Sequence, residues 1–204
     1  MPNSQGVVGV QNNPDSSNPI TVRLGKQGDQ IASELHGRYY EQTYRQNVFS
    51  VQGAATTTTA GTAATFTGLA VGNPVGSGVN LVINKITITQ AAALTASTNI
   101  GIMYGPVLAA PITASLTTIN NHFAGGAASK AVATAGQTIT APTTWILLSG
   151  SGSGAMTVPL LVASVVTDLE GSLIIPPGYF LASYTSAAST TALLFYFQWE
   201  EVPI

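Results

Sequence analysis

The sequence predicts an all-β fold, a β-sandwich of jelly-roll-like character carrying an extended N-terminal arm. Three observations support that expectation. Apolar and polar residues alternate at period two in several stretches, most clearly from Leu193 to Glu200. The chain holds 21 Gly and 11 Pro, and many of them punctuate those stretches where turns are needed. Almost nothing repeats at helical spacing. Many short strands joined by such turns bury one face each by packing as two sheets.

The division expected is an arm over residues 1–53 and a β body over residues 54–204. Residues 1–21 read as an extended tail. Asn12-Asn13-Pro14-Asp15-Ser16-Ser17-Asn18-Pro19 is turn composition, and each Pro drives its predecessor out of the helical region. Upstream, Val7-Val8-Gly9-Val10 is apolar enough to add as a strand to a neighbouring sheet edge. Residues 22–51 hold a charged block in which three of the seven Tyr fall within six positions, at Tyr39, Tyr40 and Tyr44. Gly37 separates a short helix or turn over Asp29–His36 from this Tyr-rich stretch. Tyr and Arg are the residues that contact surfaces favour, because both combine a large area with polar handles. Arg23, Arg38, Tyr39, Tyr40, Tyr44 and Arg45 are therefore the candidate partner-binding residues. The rival reading is an edge segment folded back on its own domain.

Residues 54–65 form an Ala/Thr tract, a linker or a loosely specified strand. Strands are expected from about residue 62 onward. Val79–Ile83 and Ile86–Thr89 alternate in opposite phases, so Asn84-Lys85 marks a β-bulge or a strand that changes sheets. Asn99–Tyr104 alternates again. Trp145–Leu148 reads as a short buried strand, and residues 149–154, alternating Ser and Gly, as a flexible loop. Gly171–Ile175 is a strand, Pro176-Pro177-Gly178 a tight turn, Tyr179–Tyr184 a second strand, and Ser186–Thr190 the next turn. In the last strand Leu193, Phe195, Phe197 and Trp199 share one face, a heavy aromatic surface for the core.

Charge is unusually sparse. Only 7% of residues are charged, against about 25% in an average soluble chain. Between Gln46 and Thr167 the only charged residues are Lys85 and Lys130, while eight of the fourteen charges precede Gln46. A monomer covers its surface with such residues, so this body is expected to give much of its surface to other chains. The net charge of −2 permits association and supplies no basic footprint for nucleic acid. The absence of Cys excludes thiol chemistry and thiolate metal sites. No apolar run approaches the ~20 residues that span a bilayer, and the first twenty residues lack a secretory pattern.

The residues offer no catalytic constellation, and no cofactor is expected. Glu34-Leu35-His36 would put a carboxylate and an imidazole on one side of a strand, which is half a metal site at most. Lys26 follows Gly25, but Gln27 stands where a phosphate loop needs Ser or Thr. Asp168 and Glu170 share a face, without the further oxygen ligands that calcium requires. Glu200 and Glu201 point to opposite faces and cannot share a substrate, so they are expected to keep the terminal strand soluble or to accept Arg from a neighbour.

Two segments resemble tailed-bacteriophage virion proteins. One runs from Arg23-Leu24-Gly25 through Glu34-Leu35-His36-Gly37-Arg38-Tyr39-Tyr40-Glu41 to Val48-Phe49. The other is Gly171-Ser172-Leu173-Ile174-Ile175-Pro176-Pro177-Gly178-Tyr179, closed by Trp199-Glu200-Glu201-Val202-Pro203. Together they cover roughly a third of the chain, and the middle matches in composition only. The resemblance implies a structural virion component made in the host cytoplasm. Within that group it points to a head decoration, or cement, protein on the capsid surface: a homotrimer of β-rich subunits whose partner is the major capsid protein. A phage tail or spike β-sandwich that binds a receptor is the alternative, for which the Tyr cluster and Trp145 would serve. A carbohydrate-binding domain outside any virus is a third.

Overall fold

The computed structural model describes residues 37–53, 57–63, 65–92, 94, 96–106, 112–123, 126–139, 142–151, 164–189 and 192–204. The chain divides after Tyr40 into two units. In the first, Gly37–Tyr40 make a turn in which the Tyr40 N–H donates to the Gly37 carbonyl at 3.0 Å. The second, Glu41–Ile204, holds all of the described strands.

A five-residue helix, α1, spans Tyr40–Tyr44. It ends in a left-handed residue, Gln46, at φ 65°. The Gln46 N–H returns to the Thr43 carbonyl and the Asn47 N–H to the Gln42 carbonyl, both at 3.0 Å. That paired bonding satisfies the last open carbonyls and turns the chain out of the helix. Ten strands follow: β1 (Val48–Gln52), β2 (Thr65–Asn73), β3 (Val79–Gln90), β4 (Thr98–Pro106), β5 (Ile119–Asn120), β6 (Val132–Thr138), β7 (Thr143–Ser151), β8 (Ser164–Ile175), β9 (Tyr179–Thr185) and β10 (Leu193–Pro203).

The pairings β1·β10, β2·β9, β3·β8 and β4·β7 are all antiparallel. The chain therefore runs out along β1–β4 and returns along β7–β10 as one long ribbon. Wound over itself, the ribbon deals alternate pairs to two sheets, β1-β10-β3-β8 and β2-β9-β4-β7, which is the winding of a jelly roll. β5 and β6, inserted between β4 and β7, extend these sheets at β1 and β2. The expected sandwich is thus, over its described strands, a jelly roll.

The core lies between the sheets. β10 supplies Leu193, Phe195, Phe197 and Trp199, all at most 2% exposed. Trp199 stacks on Phe49 of β1 with ring centroids 6.3 Å apart. Leu81 and Ile83 lie in this core, and so do Ile86 and Ile88 in the opposite phase. The register jumps between Ile83 and Lys85 against β8, and between Gln198 and Trp199 against β10. The bulge at Asn84 therefore lets both halves of β3 face inward. The turn after β8 has the geometry its Pro-Pro-Gly demands: Gly178 sits at φ 87° and the Tyr179 N–H donates to the Pro176 carbonyl at 3.2 Å. A second apolar cluster forms on the far face of the other sheet. Phe66, Ala70, Met103, Phe180 and Ala182 are covered there by Ile112 and Ile139.

Four expectations are corrected. The body begins before residue 54, because β1 is an inner strand between β5 and β10 whose Val48, Phe49 and Val51 are buried. The described part of the Ala/Thr tract is no linker: Thr58 is 4% exposed and its hydroxyl bonds Thr185 at 2.7 Å and Ser189 at 2.9 Å. Trp145–Leu148 is a strand but not a buried one, since β7 is the last strand of its sheet and Trp145, Ile146 and Leu147 are exposed. That strand also continues through Ser151, so Ser149–Ser151 are not loop. The short helix or turn expected over Asp29–His36 lies outside the described residues.

Candidate functional site

Two surfaces stand out, at opposite edges of the sandwich. The first gathers around α1 and the turn that follows β5. The Asn120 side chain donates to the Gln46 carbonyl at 2.9 Å, and the Ala127 N–H donates to Gln46 Oε1 at 3.3 Å. Ser50 Oγ donates to Asn121 Oδ1 at 2.7 Å. These bonds fix the end of α1 against the turn and bring Tyr44 edge-on to His122, with ring centroids 6.3 Å apart. Phe123, next in the turn, is 82% exposed and left-handed at φ 60°.

Of the six candidate partner-binding residues, Arg23 lies outside the described residues, as do Lys26, Glu34 and His36. Arg38 is exposed and Tyr39 half-buried. Tyr40 opens α1 at 45% exposure and Tyr44 closes it at 64%. Arg45 is engaged within its own segment, with its Nε 2.7 Å from Glu41 Oε1. Both side chains of that pair are mostly exposed, so the pair is worth ~0.3–0.5 kcal/mol and yields cheaply to a better partner. The structure brings Tyr44 and Arg45 to the same short segment and adds His122 and Phe123, which sequence reasoning did not select. Asn-Asn-His-Phe is ordinary turn composition, and only the pairing of β5 with β1 places it here.

The second surface is a groove of about 290 Å³ where β7 and β8, the edge strands of the two sheets, approach each other. It is lined by Tyr104, Trp145, Leu173, Ile174, Tyr179 and Phe180, among others. Among the described residues no charged side chain lines it, and the side-chain polar groups are the Tyr104 and Tyr179 hydroxyls and the Trp145 indole N–H. Gly101 makes the β7 approach feasible, since a Cβ there would collide with the Ile146 carbonyl oxygen. β7 is irregularly paired on both sides of Gly101 and Ile102.

The expected carboxylate pairs resolve differently. Glu201 does not solubilise the terminal strand. It is 8% exposed and accepts hydrogen bonds from Ser129 Oγ, the N–H groups of Lys130 (2.8 Å) and Ala131 (3.3 Å), and the Trp199 indole (3.5 Å). It lies on the aromatic face of β10, in phase with Trp199, and ties β10 to the entry of β6. Glu200, on the opposite face, has its carboxyl pushed above the ordinary glutamate range by burial. Asp168 and Glu170 are exposed on β8, and the Glu170 N–H donates to Asp168 Oδ1 at 3.2 Å where Glu170 and Gly171 turn left-handed. Among the described residues no three His, Asp or Glu side chains gather around one point, and no described helix is long and apolar enough to cross a membrane.

The arrangement offers adhesive geometry: an aromatic knob, a polar Tyr/Arg segment and an uncharged groove. No family model matches the chain, and no curated protein or solved structure matches it either.

Proposed function

We propose that the protein is a structural component of a tailed-phage virion that binds the capsid shell as a decoration protein. In this reading it is a homotrimer, its partner is the major capsid protein, and it performs no catalysis. The observation that carries the reading is the pairing of an almost charge-free jelly roll, apolar at one exposed edge, with a short segment where Tyr40, Tyr44 and Arg45 project. A surface of that kind suits the burial of apolar and peptide area against neighbouring chains, with many weak contacts multiplied by symmetry. The Arg side chains then supply paired bonds to partner carboxylates and the Tyr rings supply area at low entropic cost.

Co-sedimentation of the purified protein with capsid particles that lack it tests this. Wild type is expected in the pellet at saturation. Replacing Arg38, Tyr40, Tyr44 and Arg45 together by Ala is expected to weaken binding at least tenfold while leaving the melting temperature nearly unchanged. Deleting residues 1–36 removes Arg23 without touching β1, which a deletion through residue 50 would destroy. Wild type that stays in the supernatant at every concentration overturns the proposal. The second reading, a tail or spike protein that grips a receptor, is favoured by the aromatic trio Tyr104, Trp145 and Tyr179 around the groove. Its signature is saturable binding to a host-cell envelope protein, lost in Trp145→Ser.

A further inference from the structure

Phe123 and the β7/β8 groove are complementary, and one chain cannot bring them together. Phe123 is 82% exposed and occupies the left-handed region, where a bulky side chain is a genuine outlier. Its turn is not loose. The Phe123 N–H donates to the Asn120 carbonyl at 3.1 Å and the His122 N–H to Asn120 Oδ1 at 3.0 Å, while Asn120 itself is tied to Gln46. A ring held outward at a cost in both hydration and backbone strain is an anchor awaiting a pocket. The groove is such a pocket. At about 290 Å³ it falls at the small end for a ligand site, is walled by rings and aliphatic chains, and lacks the several converging polar groups that orient a small molecule or a sugar.

We propose that Phe123 of one copy of this chain seats in the Tyr104–Trp145–Ile174–Tyr179 groove of the next copy, closing a head-to-tail ring of three. The knob follows β5 and the groove lies along β8, and these are the two end strands of one five-stranded sheet. Four strand spacings, roughly 19 Å, separate them. With knob and groove at opposite ends of that sheet, each head-to-tail contact leaves one free knob and one free groove at the ends of the row, and three is the smallest ring in which such contacts use all of them. The area is adequate. Tyr104, Trp145, Ile146, Leu147, Ile174 and Tyr179 are each 37–52% exposed. The four of these that line the groove, Tyr104, Trp145, Ile174 and Tyr179, together expose on the order of 400 Å², the size of the largest apolar patch on an ordinary monomer and about half of the ~800 Å² that each partner gives to a stable interface. Among the described residues no charged side chain lines the groove to oppose the contact.

The inference deepens the self-associating part of the reading above and rests on it, while attachment to a shell is a separate event. The test uses the full chain and two variants, Phe123→Ser, which keeps the groove, and Ile174→Asp, which keeps the knob. Light scattering at micromolar concentration should give a three-copy mass for wild type and a one-copy mass for each variant alone. Mixing the variants in equal amounts should give a two-copy mass, because one intact knob then meets one intact groove and the ring cannot close. Both sites are surface positions, so the melting temperature should match wild type; if Ile174→Asp melts lower, Tyr179→Asp takes its place. Phe123→Ser retaining the wild-type mass, or a mixture that stays monomeric, overturns the proposal. Single-copy wild type that still binds shells also overturns the ring and leaves the decoration reading standing. Three-copy wild type that binds no shell supports the ring and sinks the decoration reading.

Discussion

Along β1 four successive residues, Val48 to Val51, are at most 6% exposed, whereas along β7 three successive residues, Trp145 to Leu147, are 37–52% exposed. Both strands carry an apolar run and no charge. The difference lies in what closes each flank. β1 is roofed by β5, and its flank is stitched by Glu201 to Lys130 and Ala131 and by Asn120 to Gln46. β7 and β8 are both edge strands, and the inward residues Val165, Leu169 and Leu173 of β8 are only partly buried. Monomeric proteins guard their edges with charge, Pro or cover, because an open edge pairs with other chains. Here β7 carries none of these side chains. Among the described residues, one flank is finished by the chain itself, and the other leaves apolar groups exposed.

The comparison breaks if substitutions on the two flanks have similar effects on stability. The largest effect is expected at the closed core. Phe197 is 0% exposed at the centre of β10, and Phe197→Ala should lower unfolding free energy by ~3–5 kcal/mol in a urea titration. A change under about 1 kcal/mol would mean that β10 does not anchor the sandwich.

Next comes the stitch. Glu201→Ala takes the acceptor from the Lys130 N–H and Ser129 Oγ, while the Ala131 N–H loses its longer bond and keeps Ser129 Oγ at 3.0 Å. Stranding buried donors should cost ~2–3 kcal/mol, tempered where water enters. Amide exchange at Lys130 and Ala131 should quicken far more than at Leu81 in the inner strand β3. Unchanged exchange at those two amides would remove Glu201 as the latch.

These two residues also mark what could be read in advance. The face of β10 was legible because four large apolar side chains fall in strict alternation, and the Pro-Pro-Gly turn because only Gly accepts φ 87° without strain. The phase switch at Asn84-Lys85 gave away the bulge for the same reason of periodicity. Glu201 lies on that same alternating face, yet a carboxylate after three aromatics reads as an exit to solvent; the donors that hold it come from residues 129–131, far away in sequence. The place of β1 in the body is not legible locally, because a charged block precedes it and an Ala/Thr tract follows, and nothing nearby ties it to β10. Nor is the exposure of β7, because a continuous apolar run looks the same in a buried strand and at an exposed edge. The groove and the Phe123 knob depend on strand order, which short-range pattern does not contain.

A smaller effect tests the open flank. Leu147 is 52% exposed, so Leu147→Ser should change unfolding free energy by less than about 0.5 kcal/mol. The same substitution should reduce self-association measurably at micromolar concentration. A loss of stability comparable to that of Glu201→Ala would show that this flank is closed within the subunit, and the contrast with β1 would fail.

The smallest effect distinguishes the two neighbouring carboxylates of β10. Glu201 is held by donors, while for Glu200 the cause of its raised pKa is burial alone. A raised folded-state value means that the folded chain holds the Glu200 proton more tightly than the unfolded chain does. Above the folded value both states are ionised, and the cost of a half-buried charge is fully present. As pH falls through the window between the raised folded value and the ordinary unfolded one, the folded state protonates first and that cost disappears. Stability contributed through Glu200 therefore rises on acidification, the reverse of a carboxylate held by a salt bridge. Glu200→Gln should melt slightly higher than wild type at neutral pH, and the two curves should converge below the ordinary glutamate range. A variant that melts lower than wild type at neutral pH would mean that the Glu200 charge is satisfied in the native protein, and that both carboxylates of the terminal strand act as stitches.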